Sequence, residues 1–489
     1  MNIAEAKEQI RNALRVYFKK DAFGNYRIPP EEQRPVFLMG PPGIGKTAIV
    51  QQVASELGVG LVSYSMTHHT RQSALGLPVI EERTYAGKKT AITEYTMSEI
   101  IASVYDLIEQ SGAQEGILFL DEINCVSETL TPIMLQFLQY KQLGTHHVPE
   151  GWLVVAAGNP PEYNRSARDF DIVTWDRVKR VDIDPDYQVF RRYAWERGVH
   201  AAVISYLDIK TDNFYHVETG LDGMEFVTAR GWEDLSRMLV LYEENGIEVD
   251  RNLIGQYIQA PAIADDFAVY YELFRKYRED YAVQDIVKGT VRDEIADRAG
   301  EAPFDERLSL IGLLMDEIAK EARGAADEED RLKELHGLLQ QAGQGTSLDS
   351  LMDSVREKIR IGRAKHSLSP EQLLREEEVL AFLQNEKAEG ADFEKIRTDF
   401  AAEVARLKKD AETANASIEN ALRFADRVWP GGQELLVLVT EIARNAWTVR
   451  LISRYGNPTF RKYSKRLMLK ERGADLTRRM EQLNLSLRR

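Results

Sequence analysis

Eight consecutive residues carry the plainest chemistry in this 489-residue chain: Gly40-Pro41-Pro42-Gly43-Ile44-Gly45-Lys46-Thr47, followed by Ala48. They fit the pattern G-x-x-x-x-G-K-[ST], in which glycines let the backbone curl until successive N–H groups point at one anion. A lysine at position 46 then reaches the β- and γ-phosphates of a nucleoside triphosphate, and the Thr47 hydroxyl is a ligand for Mg²⁺. The pattern lies between an apolar run, Val36–Met39, and an amphipathic stretch, 46–57. A strand before it and a helix after it are what the mechanism needs, because the helix adds its positive dipole end to the phosphate site. The plainer reading is a glycine-rich turn with no ligand, which that context disfavours.

A second constellation stands about 75 residues further on, where Gly116-Ile-Leu-Phe-Leu-Asp121-Glu122 ends an apolar run in two acids. A parallel strand buried on both faces is apolar throughout, so the two carboxylates must fall at its exposed carboxyl end, where ligands bind in open α/β sheets. Asp121 would hold Mg²⁺ through a water, and Glu122 would polarise an attacking water. Two acids after a strand are also a common loop start, and only the pairing with Lys46 argues for chemistry.

Gly-Pro-Pro-Gly-Ile-Gly-Lys-Thr, then Leu-Phe-Leu-Asp-Glu-Ile-Asn124, then Ala-Ala-Gly-Asn159-Pro160 together resemble AAA+ ATPases of the MoxR type, a group related to the dynein-like and midasin-like AAA modules. The resemblance covers about residues 30–280. It implies ATP as ligand, Mg²⁺ as cofactor, and a homo-oligomeric ring of six with ATP bound between subunits. It also implies roles for three further residues. Asn159 resembles the sensor amide that orients the hydrolytic water. Arg177, in Trp-Asp-Arg-Val, resembles the arginine finger that reaches a neighbour's ATP. Arg230, in Val-Thr-Ala-Arg, resembles the second sensor, although the usual Ser-Pro-Arg reads Thr-Ala-Arg here. Where relatives show Asp-Arg-Phe, this chain has Asp-Arg-Val-Lys-Arg180, so Arg180 rivals Arg177; a guanidinium that must project from before a strand favours Arg177. The plainer reading of any one of these arginines is a surface ion pair. Two insertions are also similar to family features: the alternating arms around Ala86-Gly87, from Leu75 to Thr93, and the segment Gln142–Pro149. Arms of alternating residues about such a dipeptide are a hairpin signal in their own right. The first insertion resembles the one that projects toward the ring pore in relatives, the second resembles the hairpin before the sensor amide, and both are where substrate contact is expected.

The elements that must position these residues follow from periodicity. Short apolar runs at Val36–Met39, Gly60–Tyr64, Ile117–Leu120, Leu153–Ala157 and Val178–Ile183 alternate with helical patterns at 46–57, 97–110 and 128–140, behind a leading helix over 3–19. Strands alternating with helices predict a parallel sheet with helices on both faces, the α/β P-loop NTPase fold with an AAA+ core. After Pro185 the pattern is helical: 186–209, 229–245, 250–258 and 262–280 predict a helical lid, with no strand run of comparable quality. Arg331–Gln341, Leu351–Ile361, Pro370–Asn385 and Phe393–Arg427 predict a long all-α C-terminal extension, broken at Gly343–Gly345, Ser369-Pro370 and Pro430-Gly431-Gly432. The expected domains are 1–185, 186–282 and 283–489. The aromatic residues Tyr270, Tyr271, Phe274, Tyr277 and Tyr281 share helical spacing and are expected in the core.

Composition bounds the rest. An apolar fraction of 44% with 29% charged residues describes an ordinary globular chain, and no run approaches the roughly 18 apolar residues of a membrane span. The opening Met-Asn-Ile-Ala-Glu-Ala-Lys-Glu lacks the basic-then-apolar pattern of a secretory signal, and one cysteine, Cys125, fits a reducing compartment, so the cytoplasm is the expected location. His68-His69 and His146-His147 are adjacent pairs without neighbouring cysteine, a spacing that does not suit structural zinc. Cys125 reads as a small packing residue. Net charge is −15, yet residues 450–489 carry twelve Lys/Arg against three Asp/Glu. That tail reads first as a solvated basic face and second as a foothold for nucleic acid. The expected function is an ATPase that remodels a protein partner; MoxR-type proteins commonly serve partners bearing a von Willebrand factor A domain or help insert metal cofactors. The rivals are a nucleic-acid-stimulated ATPase and a nucleotide switch that does not hydrolyse.

Overall fold

A computed structural model describes residues 1–466 apart from 165, 221–222 and 366–367. The described residues form two compact units, one of residues 1–189 with 347–385 and the other of 190–346 with 386–466. The candidate residues up to Arg180 all belong to the first unit.

That unit opens with α1 (Ile3–Tyr17), which begins on a capping box: the Asn2 side chain accepts from the Glu5 N–H while Glu5 accepts from the Asn2 N–H. Ala6, Ile10, Ala13 and Leu14 are its buried stripe. There follow β1 (Val36–Met39), α2 (Lys46–Leu57), β2 (Gly60–Ser65), α3 (Arg71–Leu75), β3 (Pro78–Tyr85), β4 (Lys88–Tyr95), α4 (Glu99–Ser111), β5 (Gly116–Asp121), α5 (Thr131–Tyr140), β6 (Gln142–Leu143), β7 (His146–His147), β8 (Trp152–Gly158), α6 (Ile172–Trp175) and β9 (Lys179–Asp182).

Five of these strands form one parallel sheet in the order β2-β5-β8-β1-β9. Its middle strands are apolar and buried along their length, as a sheet covered on both faces demands. Register sets the chemistry. Met39 lies beside both Gly158 and Asp182, Leu120 beside Ala156, and Ser65 beside Asp121. The carboxyl ends of β1, β2, β5 and β8 therefore finish side by side, and the loops that leave them share one edge of the sheet.

Two hairpins leave the sheet. β3 and β4 pair from Pro78↔Tyr95 to Tyr85↔Lys88, turning at Ala86 (φ 49°) and Gly87 (φ 81°). Two left-handed residues make the tight turn whose twist matches antiparallel strands. The arms are largely exposed, Ile80 to 77%. β6 and β7 make a two-residue pairing around Gly144. Helix Leu348–Lys365, from the C-terminal half of the sequence, packs on α4, and the Ser55 hydroxyl at the end of α2 meets Gln372 at 3.4 Å.

The second unit is mostly helical and departs from expectation in several places. A hairpin pairs His216–Gly220 with Gly223–Val227, where the sequence showed no strand pattern. The first arm, His-Val-Glu-Thr-Gly, is mostly polar, and the second, Gly-Met-Glu-Phe-Val, buries Val227 while Met224 stays 47% exposed, so five residues an arm give only a short apolar signal. The stretch 186–209 is two helices, Tyr187–Arg197 and Ala201–Ile209, parted at Gly198 (φ 69°). Residues 304–343 form one 40-residue helix, far longer than the expected Arg331–Gln341. Its core face includes Leu310, Leu314, Ile318, Ala322 and Leu332, whose alanines weaken the apolar signal without weakening the helix. Buried Arg191 bridges Asp208 and Glu441, tying Tyr187–Arg197 to Gln433–Arg444. Of the five aromatics expected in the core, Tyr271, Phe274 and Tyr281 are fully buried, whereas Tyr270 and Tyr277 are only partly buried. Within the basic tail, Arg450 and Arg454 pair with Glu329 and Asp330 or with Glu329, and Arg466 with Asp426; residues 467–489 lie outside the described residues. Among the described residues no helix is long and apolar enough to cross a membrane.

Candidate functional site

The phosphate-binding pattern occupies the turn from β1 to α2. Gly43 (φ 72°) and Gly45 (φ 97°) take backbone conformations that side chains disfavour, and a Cβ on Gly40 would stand 2.7 Å from the Ile183 carbonyl oxygen. Gly45 is also the N-cap of α2 and offers no side chain to its first turn, so the N–H groups there face whatever the turn encloses. The Lys46 side chain folds over this turn. Its ammonium donates to the carbonyls of Gly40 (2.7 Å) and Pro41 (2.8 Å) and to Asn159 Oδ1 (2.8 Å), and the residue is buried.

The acids lie one strand over from β8. Thr47 Oγ1 donates to Asp121 Oδ2 at 2.8 Å, while Asp121 Oδ1 accepts from the Glu122 N–H at 2.9 Å. A hydroxyl and a carboxylate in contact are hard oxygen donors of the kind Mg²⁺ takes, with room in its octahedron for phosphate oxygens and water. The residues present therefore fit that ion. Glu122 is in the left-handed region (φ 56°, ψ 34°) and caps the short turn Ile123–Cys125. For a residue with a Cβ this conformation costs about 1 kcal/mol, and such strain gathers at functional sites. Its carboxylate accepts a long bond of 3.4 Å from Ser65 Oγ at the end of β2.

Asn159, the residue after β8, is nearly buried. A lysine has donors only, so the amide oxygen must face Lys46 and the amide N–H₂ must point away from it. The Asn159 backbone oxygen accepts from Asn124 Nδ2 at 2.7 Å. Lys46, Thr47, Asp121, Glu122 and Asn159 thus converge at the carboxyl edge of the sheet, joined by direct bonds or adjacency.

The arginines stand apart from that cluster. Arg177 follows α6 and is exposed; it makes no side-chain hydrogen bond among the described residues. It contributes to holding the Asp171 carboxyl below its usual range, behind the two bonds from Thr174. Arg180 sits inside β9, pairs with Asp182 at 2.8 Å and lies over the Trp175 ring at 4.4 Å. Arg230 is exposed in the first turn of helix Ala229–Glu244, in the second unit.

Two neighbours escape a reading by motif. Ser65 ends a strand and carries no signal of its own; its approach to Glu122 depends on β2 pairing with β5. Asn124 stands out only as part of a family signature, while its bond to Asn159 spans 35 residues and follows from the adjacency of β5 and β8. Cys125, beside them, has its thiol pushed up by burial and by Glu122 and Asp121, which suits packing and not nucleophilic attack.

Residues 36–169 match the family model of the ATPase family associated with various cellular activities (AAA). The comparison with curated proteins finds no match.

Proposed function

We propose that this chain, whose residues 36–169 form an AAA ATPase domain, hydrolyses ATP in a ring of its own copies and spends the cycle on remodelling a protein partner. The observation that carries the reading is the linked set Lys46–Asn159 and Thr47–Asp121, with Glu122 adjoining, at one edge of the parallel sheet.

In this reading the turn amides of Gly43 to Thr47 cradle the β-phosphate, and Lys46 exchanges its carbonyl partners for the β- and γ-phosphate oxygens. Thr47 and Asp121 would hold Mg²⁺, which when bound offsets negative charge on the phosphates. Glu122 accepts a hydrogen bond from the attacking water and takes its proton as the O–P bond forms; the γ-phosphoryl group leaves ADP and emerges as phosphate. Asn159, its amide oxygen fixed by Lys46, directs its N–H₂ at that water or the γ-phosphate. Arg177, exposed and without a hydrogen-bonded partner among the described residues, serves a neighbour's ATP. Arg180, already engaged with Asp182 and Trp175, is the weaker candidate. Arg230 acts as a second sensor from the helical region after residue 186.

Finer features follow from the MoxR-type resemblance: six subunits, a cytoplasmic setting, and a client such as a von Willebrand factor A domain protein reached through the exposed hairpin Pro78–Tyr95. The three expected domains, 1–185, 186–282 and 283–489, are retained as functional divisions. A nucleic-acid substrate is the second reading; among the described residues of the basic stretch, Arg450, Arg454 and Arg466 are paired with acids of this chain.

The test uses two variants. Lys46→Ala should abolish binding of a fluorescent ATP analogue. Glu122→Gln should keep that binding and lose turnover by roughly a hundredfold or more. Unchanged turnover in Glu122→Gln would remove Glu122 from the role of base, and a wild-type protein that binds the analogue but releases no phosphate would be a nucleotide switch.

A further inference from the structure

Asn124 is almost fully buried, 1% exposed, two residues beyond the proposed general base. Its side chain lies flat against the end of β8: a Cβ on Gly158 would fall 2.5 Å from Asn124 Oδ1, so only glycine leaves room for it there. The carboxamide is oriented by its bonds. Nδ2 donates to the Asn159 backbone oxygen (2.7 Å) and more distantly to the Arg168 oxygen (3.5 Å), while Oδ1 faces the Cys125 thiol at 3.8 Å. The Asn124 backbone oxygen accepts from the Arg168 N–H at 3.0 Å. Asn124 therefore ties both ends of the segment 159–168 to the turn that carries Glu122.

We propose that Asn124 is a positioning residue that sets the Asn159 carboxamide for hydrolysis. The inference rests on the proposed ATPase reading and extends it to a residue that need not touch the nucleotide. The physical path is short. The bond from Nδ2 fixes the Asn159 carbonyl, hence the plane of its peptide and the direction of its Cα–Cβ bond. The Asn159 side chain then meets Lys46 on one side and presents its N–H₂ on the other. A catalytic amide displaced by a fraction of an ångström loses most of its effect, because its contribution depends on being in place before charge develops. Asn124 also shares a rigid turn with Glu122, so the general base and the sensor amide are held in one frame and not on two independent loops.

The experiment compares Asn124→Ala and Asn124→Asp with wild type, Asn159→Ala and the double variants, measuring phosphate release, affinity for a fluorescent ATP analogue and melting temperature. Aspartate keeps the shape of asparagine but cannot donate to the Asn159 oxygen. The expected result is a fall in kcat of about tenfold or more with affinity changed by no more than about threefold. In the Asn159→Ala background the second substitution should slow turnover no further, since its effect passes through the missing amide. Should the buried aspartate prevent folding, Asn124→Ser replaces it in the same comparison. Wild-type turnover in folded Asn124→Ala, or a deficit that multiplies in full with that of Asn159→Ala, overturns this inference alone. A wild-type protein that releases no phosphate overturns the ATPase reading beneath it.

Discussion

Lys46 Nζ and Asn159 Oδ1 are 2.8 Å apart, a bond that joins the phosphate-binding turn to the end of β8 across 113 residues of chain. The pair makes opposite demands on nucleotide binding and on turnover. Asn159→Ala frees the ammonium and removes the amide, so ATP affinity should stay within a few-fold while kcat falls about tenfold or more. Asn159→Asp turns a neutral acceptor into a carboxylate that competes with phosphate for Lys46 and repels it. ATP affinity should then drop by roughly tenfold or more. Titration with a fluorescent nucleotide, run beside phosphate release, separates the two effects; equal affinities for the alanine and aspartate variants would refute the competition.

Arg177 and Arg180 differ in what already holds them. Arg180 spends its guanidinium on Asp182 and Trp175, whereas Arg177 is exposed. If Arg177 completes a neighbour's site, Arg177→Ala and Glu122→Gln are each inactive alone but complement when mixed. A subunit with intact Glu122 can then receive an intact arginine from the copy beside it. Partial recovery of turnover on mixing is the expected outcome, and turnover of wild type should rise with protein concentration. Arg180→Ala should lose stability and keep most activity. No recovery in the Arg177 mixture, with recovery in the matching Arg180 mixture, would exchange the two assignments.

What is legible in the sequence divides by the range of the interaction. The phosphate turn, the apolar strand ending at Asp121 and the hairpin around Ala86-Gly87 are each written in fewer than twenty consecutive residues, so spacing and turn chemistry suffice to find them. The convergence of Asp121, Asn159 and Lys46 is only half visible, because it depends on which strand lies beside which. Asn124 and Ser65 show nothing of their contacts for the same reason. The hairpin His216–Val227 is hidden because each arm is only five residues long and Val227 is buried while Met224 faces outward. Segment 347–385 reads as one more helical piece of a C-terminal extension, yet it belongs to the same compact unit as the sheet. Its packing on α4 is a contact between residues some 250 apart, and no local pattern encodes that.

The buried arginine of the second unit offers a test of packing. Arg191 pairs with Asp208 and with Glu441, both arginine and Glu441 being under a tenth exposed. Burial pushes the Glu441 carboxyl up, and Arg191 opposes it. Removing the arginine strands a carboxylate in an apolar setting, so Arg191→Met should destabilise by about 3–5 kcal/mol. Arg191→Met with Glu441→Leu removes both charges and should recover more than half of that loss. Chemical denaturation of the three proteins checks it. A double variant as unstable as the single one would show that the pair contributes through shape and not through charge.

Lys141 gives the clearest dependence on pH. It follows α5 in the left-handed region (φ 50°), is 7% exposed, and donates from Nζ to the Pro30 oxygen at 2.7 Å. Burial lowers its pKa from 10.5 to about 8, against a small opposing pull from Glu31. Between those values the folded chain has released a proton that the unfolded chain still holds, so stability rises with pH across the window. Below pH 8 both states are protonated, and the buried charge costs its full amount, at most about 3 kcal/mol for a shift of this size. Lys141→Met removes the charge along with the bond to Pro30. It should therefore melt higher than wild type at pH 7, by an amount worth about 1–2 kcal/mol after the lost hydrogen bond is counted. As pH approaches 10 the lysine becomes neutral when folded, still donates to the Pro30 oxygen, and the advantage of methionine should vanish. Melting curves of both proteins from pH 7 to 10 decide the matter: a difference that stays constant across the range would mean that Lys141 keeps its proton throughout.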